Sequence, residues 1–217
     1  MSRSAVLFDL DGTLADTAPD LGAALNHLLE EEGQAALPLA QLRPYVSGGA
    51  RSLLQHGFGI APGDPAQPAL AERFLAHYAR ALCVATELFP GVPALLDQLD
   101  ARGIKWGIVT NKAERFTLPL VERLGLRSRA ACVISGDTAA RPKPHPDPLL
   151  LACAQMQVDA GRACYVGDDQ RDIVAGRAAG MLTIVAAYGY LGGEEHYTAW
   201  QADAVIAEPN DLLGLIA

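Results

Sequence analysis

The sequence contains no run of Lys or Arg and no long hydrophobic run. Its 17 Lys and Arg residues are outnumbered by 25 Asp and Glu, so the formal net charge is −8 at pH 7. Because proteins that bind nucleic acid carry basic clusters, this balance argues against a nucleic-acid partner. No apolar stretch approaches the ~20 residues of a membrane-spanning helix, and no apolar signal-peptide segment follows the N-terminus. We therefore expect a cytoplasmic monomer or homodimer with neither a membrane nor a nucleic-acid partner.

Cysteines are also scarce, and no two of the four form a C-x-x-C pair. Cys83, Cys132 and Cys164 have apolar neighbours, which favours buried, reduced thiols and argues against a zinc site or a disulfide. Internal repeats and low-complexity segments are absent too. The chain does have 217 residues, of which 50% are hydrophobic. That is enough for one large domain, or a domain with an insertion, around a substantial core.

Between residues 16 and 84 the sequence shows only helical patterns. Leucines at helical spacing, with a proline near the start and a glycine after the end, predict a helix over 19–33. Two shorter helices are predicted over 38–47 and 50–57, and a longer one over 69–84. This region is therefore predicted to be all-helical.

The pattern changes after Phe89-Pro90-Gly91. Continuous apolar strands alternate with helices there, which indicates a parallel sheet covered on both faces. The predicted helices span 92–102, 114–124, 147–156 and 173–179, and the predicted strands span 106–109, 132–134, 164–166, 183–185 and 204–206. The strand over 5–9 has no helix of its own beside it. We therefore predict an α/β core of residues 1–15 and 85–217, with an all-helical insertion over 16–84.

Polar residues collect where the predicted strands end. The first strand runs directly into Asp9 and Asp11, and later strands end at Thr110 and at Asp168. In open parallel sheets, ligands bind beyond the carboxyl ends of the strands. Two acids one residue apart point the same way and repel each other, so a cation lies between them, or one carries a proton, or both. Oxygen ligands of this kind suit Mg²⁺.

Four stretches, in this order, resemble the motifs of the haloacid dehalogenase superfamily of phosphotransferases. The first is Asp9-Leu10-Asp11-Gly12-Thr13, the second Thr110, the third Lys143, and the fourth Gly167-Asp168-Asp169 with Asp172. The helical region lies where the superfamily inserts a C1-type cap, so we call residues 16–84 the cap. The resemblance implies a Rossmann-like core with a parallel sheet flanked by helices. The stretches VTNK, KPHPDPL and GDDQRDI are similar to phosphoglycolate phosphatases, and SGGAR and YGY to N-acetylmuramic acid 6-phosphate phosphatases.

The resemblance also implies the chemistry, that of a Mg²⁺-dependent phosphomonoester hydrolase. Asp9 would be the nucleophile that forms an aspartyl-phosphate. Asp11 would be the general acid and base, and it would be protonated when substrate binds. Lys143 and Thr110, with backbone N–H groups near Leu10 and Asn111, would bind the phosphoryl oxygens. Dehalogenases of this superfamily lack the second acid, because a halide leaves without a proton, so Asp11 favours phosphate esters.

The metal site is likewise implied by the resemblance. Its ligands would be Asp9, Asp168 and the backbone carbonyl of Asp11. Asp172, together with Asp169, would orient Lys143 or a water on the metal.

The cap is expected to determine the substrate. In Ser47–Arg51, either the glycines form a tight turn with Arg51 on the surface, or Gly49 and Arg51 bind an anionic part of the substrate. We expect a small anionic phosphate such as 2-phosphoglycolate. One alternative is that the substrate is a sugar phosphate, namely N-acetylmuramic acid 6-phosphate. Another is that the enzyme catalyses a phosphomutase reaction. A non-enzymatic module that kept the fold is a further alternative, but it has no need for clustered acids.

Overall fold

The computed structural model describes residues 3–192 and 196–216. The elements of the first part are β1 (Ala5–Phe8), β2 (Ala15–Asp16), α1 (Ala18–Glu31), α2 (Leu39–Leu42), α3 (Gly49–Phe58), α4 (Gln67–Arg80) and β3 (Glu87–Leu88). Those of the second part are α5 (Val92–Ala101), β4 (Lys105–Val109), α6 (Glu114–Arg123), β5 (Val133–Ile134), α7 (Asp147–Met156), β6 (Ala163–Gly167), α8 (Gln170–Ala178), β7 (Leu182–Ala186), β8 (Ala204–Ile206) and α9 (Leu212–Leu215).

Six strands form one parallel sheet, in the order β5-β4-β1-β6-β7-β8. Strand β1 is buried on both faces: Val6 and Phe8 belong to one hydrophobic core, and Ala5 and Leu7 to the other. Alternation of this kind follows from the two-residue period of a strand, and it explains the continuous apolar run in the sequence. The predicted α/β fold is confirmed. Because β1 lies between β4 and β6, the residues that follow these three strands are neighbours.

The cap helices pack on one another. Helix α1 lies along α4, and α3 contacts both. Their shared interior holds Leu25, Leu28, Leu53, Leu54 and Phe74, all of which are fully buried or nearly so. Burying such side chains contributes about 1.5–3 kcal/mol each, so this helical layer has a substantial apolar interior.

Three local predictions need correction. A two-stranded antiparallel pair, β2 with β3, joins the chain where it enters and leaves the cap, and it was not expected. The helix predicted over 38–47 stops at Leu42 and continues only as a 3₁₀ turn over Arg43–Tyr45, since Pro44 lacks the N–H that an α-helix needs. The first strand ends at Phe8, which leaves Asp9 in the loop beyond it.

All four cysteines are free thiols; Cys132, Cys153 and Cys164 are buried and Cys83 is half-buried. Within residues 3–192 and 196–216, no helix has the length and apolar character that crossing a bilayer requires.

Candidate active site

The carboxyl ends of β1 and β4 border a cavity of about 300 Å³ that lies between the sheet and the cap. Asp9 and Thr110 line it, and Asp168, at the end of β6, is fully buried beside them. Asp168 accepts hydrogen bonds from the Thr13 hydroxyl at 2.9 Å and the Tyr190 N–H at 3.0 Å. The loop packs closely: a Cβ on Gly12, whose φ is +83°, would lie 2.1 Å from an Asp168 oxygen. Only glycine suits that position.

Lys143 provides the positive charge at the base of the cavity. Its Nζ lies 3.0 Å from Asp9 Oδ1 and 2.6 Å from Asp172 Oδ1, and it donates to the Tyr165 hydroxyl at 2.8 Å. Burial alone would lower the pKa of Lys143, but the Asp172 and Asp9 carboxylates outweigh it and raise that pKa above its ordinary value. Lys143 is therefore charged at neutral pH.

The acids of this cluster carry more negative charge than Lys143 offsets. Asp9, Asp168 and Asp172 each place a carboxylate oxygen within 4.8 Å of the others. Burial raises the pKa of Asp9 to about 7; Lys143 opposes that rise, while Asp172 and Asp11 add to it. Burial, Asp9 and Asp172 together raise the pKa of Asp168 well above its usual range. A divalent cation would remove this repulsion, and the hard oxygen donors fit Mg²⁺.

Asp172 lies in direct contact with Lys143. Its Oδ1 faces Lys143, and its Oδ2 accepts the backbone N–H of Asp169 at 3.1 Å. Asp169 does something different: its carboxylate caps the N-terminus of α8 and pairs with Arg171 at 2.8 Å. Arg171 in turn donates to the Ser47 carbonyl of the cap. Asp169 thus links the core to the cap loop and makes no contact with Lys143.

Asp11 points away from the acid cluster. Its Oδ1 accepts the Thr17 hydroxyl at 2.6 Å and lies 3.0 Å from the Nζ of Lys112. Lys112 is itself largely buried, and its Nζ lies 4.8 Å from the ring centre of Tyr78. In this structure the Asp11 carboxylate is therefore held by the Thr17 hydroxyl and the Lys112 ammonium.

Thr110 and Asn111 both follow β4, and their side chains make different contacts. Thr110 is buried and lines the cavity, and its Oγ1 accepts the backbone N–H of Lys112 at 3.2 Å. The Asn111 amide bonds the backbone of Lys143 twice, at 2.9 Å each, as donor to the carbonyl and acceptor from the N–H. The Asn111 side chain therefore holds the Lys143 loop, although the residue lines the cavity.

Comparison with known proteins shows the family to which the chain belongs. The family model described as haloacid dehalogenase-like hydrolase matches residues 6–186. The chain belongs to the haloacid dehalogenase-like hydrolases. The predicted family and the predicted class, a phosphoric monoester hydrolase, are confirmed.

Relatives and solved structures within this family match nearly the whole chain. A phosphoglycolate phosphatase from Xanthomonas campestris pv. campestris is 46% identical over 208 residues, which cover 96% of this chain and 94% of the relative. An N-acetylmuramic acid 6-phosphate phosphatase from Pseudomonas aeruginosa is 39% identical over 216 residues, covering 100% and 96%. The solved structure of a haloacid dehalogenase-like family protein from Streptococcus pneumoniae matches with a TM-score of 0.84 at 20% identity. The match covers 99% of both chains, which shows the shared fold.

The cap contributes mainly apolar side chains to the cavity of this hydrolase. The cap residues that line it are Leu21, Val46, Phe74, Leu75 and Tyr78, together with the loop over residues 47–50. Gly49 is part of that lining, as predicted for the loop. Arg51 is exposed and is not among the lining residues. The structure therefore brings Gly49 to the cavity and leaves Arg51 outside it.

The lining residues that were not singled out from the sequence include Lys112, Arg115, Arg171 and Tyr78. Lys112 had a detectable signal, because it follows directly after the polar end of β4. Arg171 and Arg115 lie in the first turns of α8 and α6, where the sequence shows only helix starts. Tyr78 fits the helical apolar pattern of α4, so its position in a cavity depends on how the cap packs on the core.

Proposed function

We propose that the chain is a Mg²⁺-dependent phosphomonoester hydrolase that works through an aspartyl-phosphate on Asp9 and acts on a small anionic phosphate such as 2-phosphoglycolate. The observation that carries the proposal is the placement of Asp9 beside Lys143 and Asp168 at the base of a cavity covered by the cap. The 46% identical relative with the name phosphoglycolate phosphatase supports this substrate.

In the proposed reaction Asp9 attacks phosphorus. Its Oδ1 accepts the Leu10 N–H at 2.7 Å and faces Lys143, whereas Oδ2 has no hydrogen bond within the described residues. Oδ2 is therefore the oxygen available for attack. Lys143 and the Thr110 hydroxyl bind phosphoryl oxygens as the bond forms, so they stabilise charge where it develops.

Asp9, Asp168 and the backbone carbonyl of Asp11 would hold Mg²⁺. When bound there, Mg²⁺ supplies positive charge between the nucleophile and the phosphoryl group. Asp172 does not need to join this set, since both of its oxygens already serve Lys143 and the start of α8.

Asp11 gives its proton to the leaving alkoxide and later takes one from the water that cleaves the acyl-phosphate. The acid role requires that bound substrate draws Lys112 away from Asp11, because a proton on Asp11 would forfeit their ion pair.

We also propose that residues 16–84 act as a cap that closes over Asp9, with hinges near Ala15-Asp16 and near residues 85–90. The pairing of β2 with β3 at this crossing point supports the boundaries. Closure would keep bulk water from the acyl-phosphate until its attacking water is placed.

N-acetylmuramic acid 6-phosphate is the second candidate substrate. The 39% identical relative of that name matches the full chain, and the apolar cap wall offers a surface for a larger organic group. The phosphomutase alternative, the cytoplasmic location and the oligomeric state stay predictions.

A phosphate-release assay tests the proposal. We expect the purified chain with Mg²⁺ to release phosphate from 2-phosphoglycolate or N-acetylmuramic acid 6-phosphate, and to stop when chelator is in excess. Sustained turnover in excess chelator, or a requirement for a bisphosphate primer, would contradict it.

A further inference from the structure

Four cationic side chains line the cavity, and three of them are neutralised by acids of the protein. Lys143 pairs with Asp9 and Asp172, Lys112 with Asp11, and Arg171 with Asp169. Arg115 is the fourth, and within the described residues no carboxylate lies within ion-pair distance of it. Of these four charges, Arg115 is therefore the one that no carboxylate of the described residues neutralises.

Arg115 is also held in place without an acid. Its guanidinium carbon lies 4.7 Å from the ring centre of Phe116, and Phe116 packs against Tyr78 of the cap at 5.5 Å. A cation on an aromatic face gains about 0.5–1 kcal/mol at an exposed site. The guanidinium thus rests on an apolar base where α6 meets α4, at the border between the cavity and a shallow groove lined by Glu114 and Asp137.

The part of the cavity wall that α4 contributes is apolar except for one hydroxyl. Among the lining residues near α4, Leu75 and Phe74 are apolar, and the buried Tyr78 hydroxyl has no hydrogen-bond partner in the part of the chain that the structure describes. An unpaired buried hydroxyl costs free energy that a polar ligand would recover. The cap-facing part of the cavity is therefore built for an organic group that carries a polar, negatively charged substituent.

We propose that Arg115 is the residue that selects substrates, by binding a carboxylate on the alcohol part of the phosphate ester. The inference rests on the proposed function and deepens it: the substrate class is phosphate esters of hydroxy acids. A planar guanidinium binds a carboxylate through two parallel hydrogen bonds. This role replaces the one that the sequence suggested for Arg51.

Two matched substrate pairs test the assignment. 2-Phosphoglycolate and 2-hydroxyethyl phosphate differ in the carboxylate, as do N-acetylmuramic acid 6-phosphate and N-acetylglucosamine 6-phosphate, whose difference is the carboxylate-bearing ether group. We define the carboxylate preference as the ratio of kcat/KM within a pair. Comparing the two pairs shows whether the carboxylate that is recognised belongs to a small hydroxy acid or to a sugar acid.

In at least one pair, the wild-type enzyme should prefer the carboxylated member. Arg115→Ala should lower that preference roughly 10- to 100-fold, mostly through KM, because a charge-assisted pair of hydrogen bonds is lost. Arg115→Lys should retain part of it. The exposed Arg127, which has no ion pair within the described residues and lies outside the cavity, offers the matched control: Arg127→Ala should keep the full preference.

Three results would overturn the assignment: a wild-type enzyme without preference in either pair, an unchanged preference in Arg115→Ala, or a selective loss in Arg51→Ala instead. Failure of the proposed function has a different signature. If the wild type released no phosphate from any of the four esters or from para-nitrophenyl phosphate with Mg²⁺, both the hydrolase proposal and this subsite would be rejected.

Discussion

Asp11 and Lys112 form the ion pair that most directly constrains the proposed proton transfer. Lys112 is held over the Tyr78 ring, and burial raises the pKa of Tyr78 to about 12, so the Tyr78 hydroxyl stays neutral at pH 7. Asp11 is thus the acid that Lys112 contacts in this part of the cavity. In the proposed reaction, the leaving alkoxide is a second negative group. Lys112 can move from Asp11 to that alkoxide.

The Asp11→Asn variant tests the acid role. We expect hydrolysis of alkyl phosphates to fall by roughly 10²–10⁴-fold, the usual contribution of proton donation. An aryl phosphate should lose much less, because its leaving group departs with little protonation. Steady-state kinetics on both ester types check this, and equal losses would mean that Asp11 is not the leaving-group acid.

Asn111 is a positioning residue for Lys143, and the chain contains a matched control. Asn26 makes the same two backbone hydrogen bonds to Leu37 in the cap, at 3.0 and 2.8 Å. Both Asn111→Ala and Asn26→Ala should lower the free energy of unfolding by about 1–3 kcal/mol. Only Asn111→Ala should also lower kcat, by about 10- to 100-fold, since a displaced Lys143 misaligns the phosphoryl group.

Urea unfolding and kinetics measure the two effects separately. If Asn26→Ala lowered kcat as much as Asn111→Ala, the kinetic loss would reflect general destabilisation, and Asn111 would have no special link to Lys143.

At the scale of elements, Asp20 fixes the second crossing between the cap and the core. This buried carboxylate, in the first turn of α1, accepts the backbone N–H groups of Val84, Ala85 and Thr86 at about 2.9 Å each, and the Thr86 hydroxyl at 2.6 Å. The segment just before β3 is therefore tied to the start of α1.

Replacing Asp20 should loosen that attachment. We expect Asp20→Ala to lower the free energy of unfolding by about 2–4 kcal/mol, because several hydrogen bonds to a buried charge are lost together. Amide exchange at residues 84–86 should accelerate. Asp64 offers a comparison, since its carboxylate accepts only the Ala66 N–H in a more exposed loop, and Asp64→Ala should cost less than about 1 kcal/mol. Unchanged exchange at 84–86 in Asp20→Ala would rule out the attachment.

Elements with a continuous apolar or helical pattern were predictable, including the short strands β5 and β8, whereas β2 and β3 were not. Strands such as β6, with five buried residues, and helix α7, predicted with its observed bounds, follow from apolar continuity and helical spacing. Strands β2 and β3 have two residues each, so no periodicity can develop in them. Their pairing comes from bringing the two cap crossings together, which is a tertiary effect.

In the candidate site, too, residues that belong to a sequence pattern were predictable, and those whose role depends on tertiary packing were not. Asp9, Thr110, Lys143 and Asp168 could be found because each lies at a strand end or in a motif whose order is recognisable. Arg115 could not, because its role depends on which neighbouring cations are already paired with acids. Arg51 was favoured by its place beside two glycines, but sequence spacing does not say which side of α3 faces the cavity.

The whole molecule combines a rigid acidic centre with a helical layer that covers it. The overall charge is −8, and the buried acids add to the negative potential at the very place where a phosphate must bind. Lys143 offsets part of this negative potential, and the proposed Mg²⁺ would offset the rest. In the proposed reaction, phosphoryl transfer to Asp9 thus occurs in this neutralised centre.

The most direct test is to trap the phosphorylated enzyme. The wild type and Asp9→Asn would be mixed with Mg²⁺ and either 2-phosphoglycolate or para-nitrophenyl phosphate, quenched in acid within one turnover, digested and analysed by mass spectrometry. We expect a phosphoryl group on the wild-type peptide that contains Asp9. Asp9→Asn should carry none and should release no phosphate, while its urea unfolding shows an intact fold. A phosphoryl group on another residue, or phosphate release by Asp9→Asn at a rate near that of the wild type, would contradict the account.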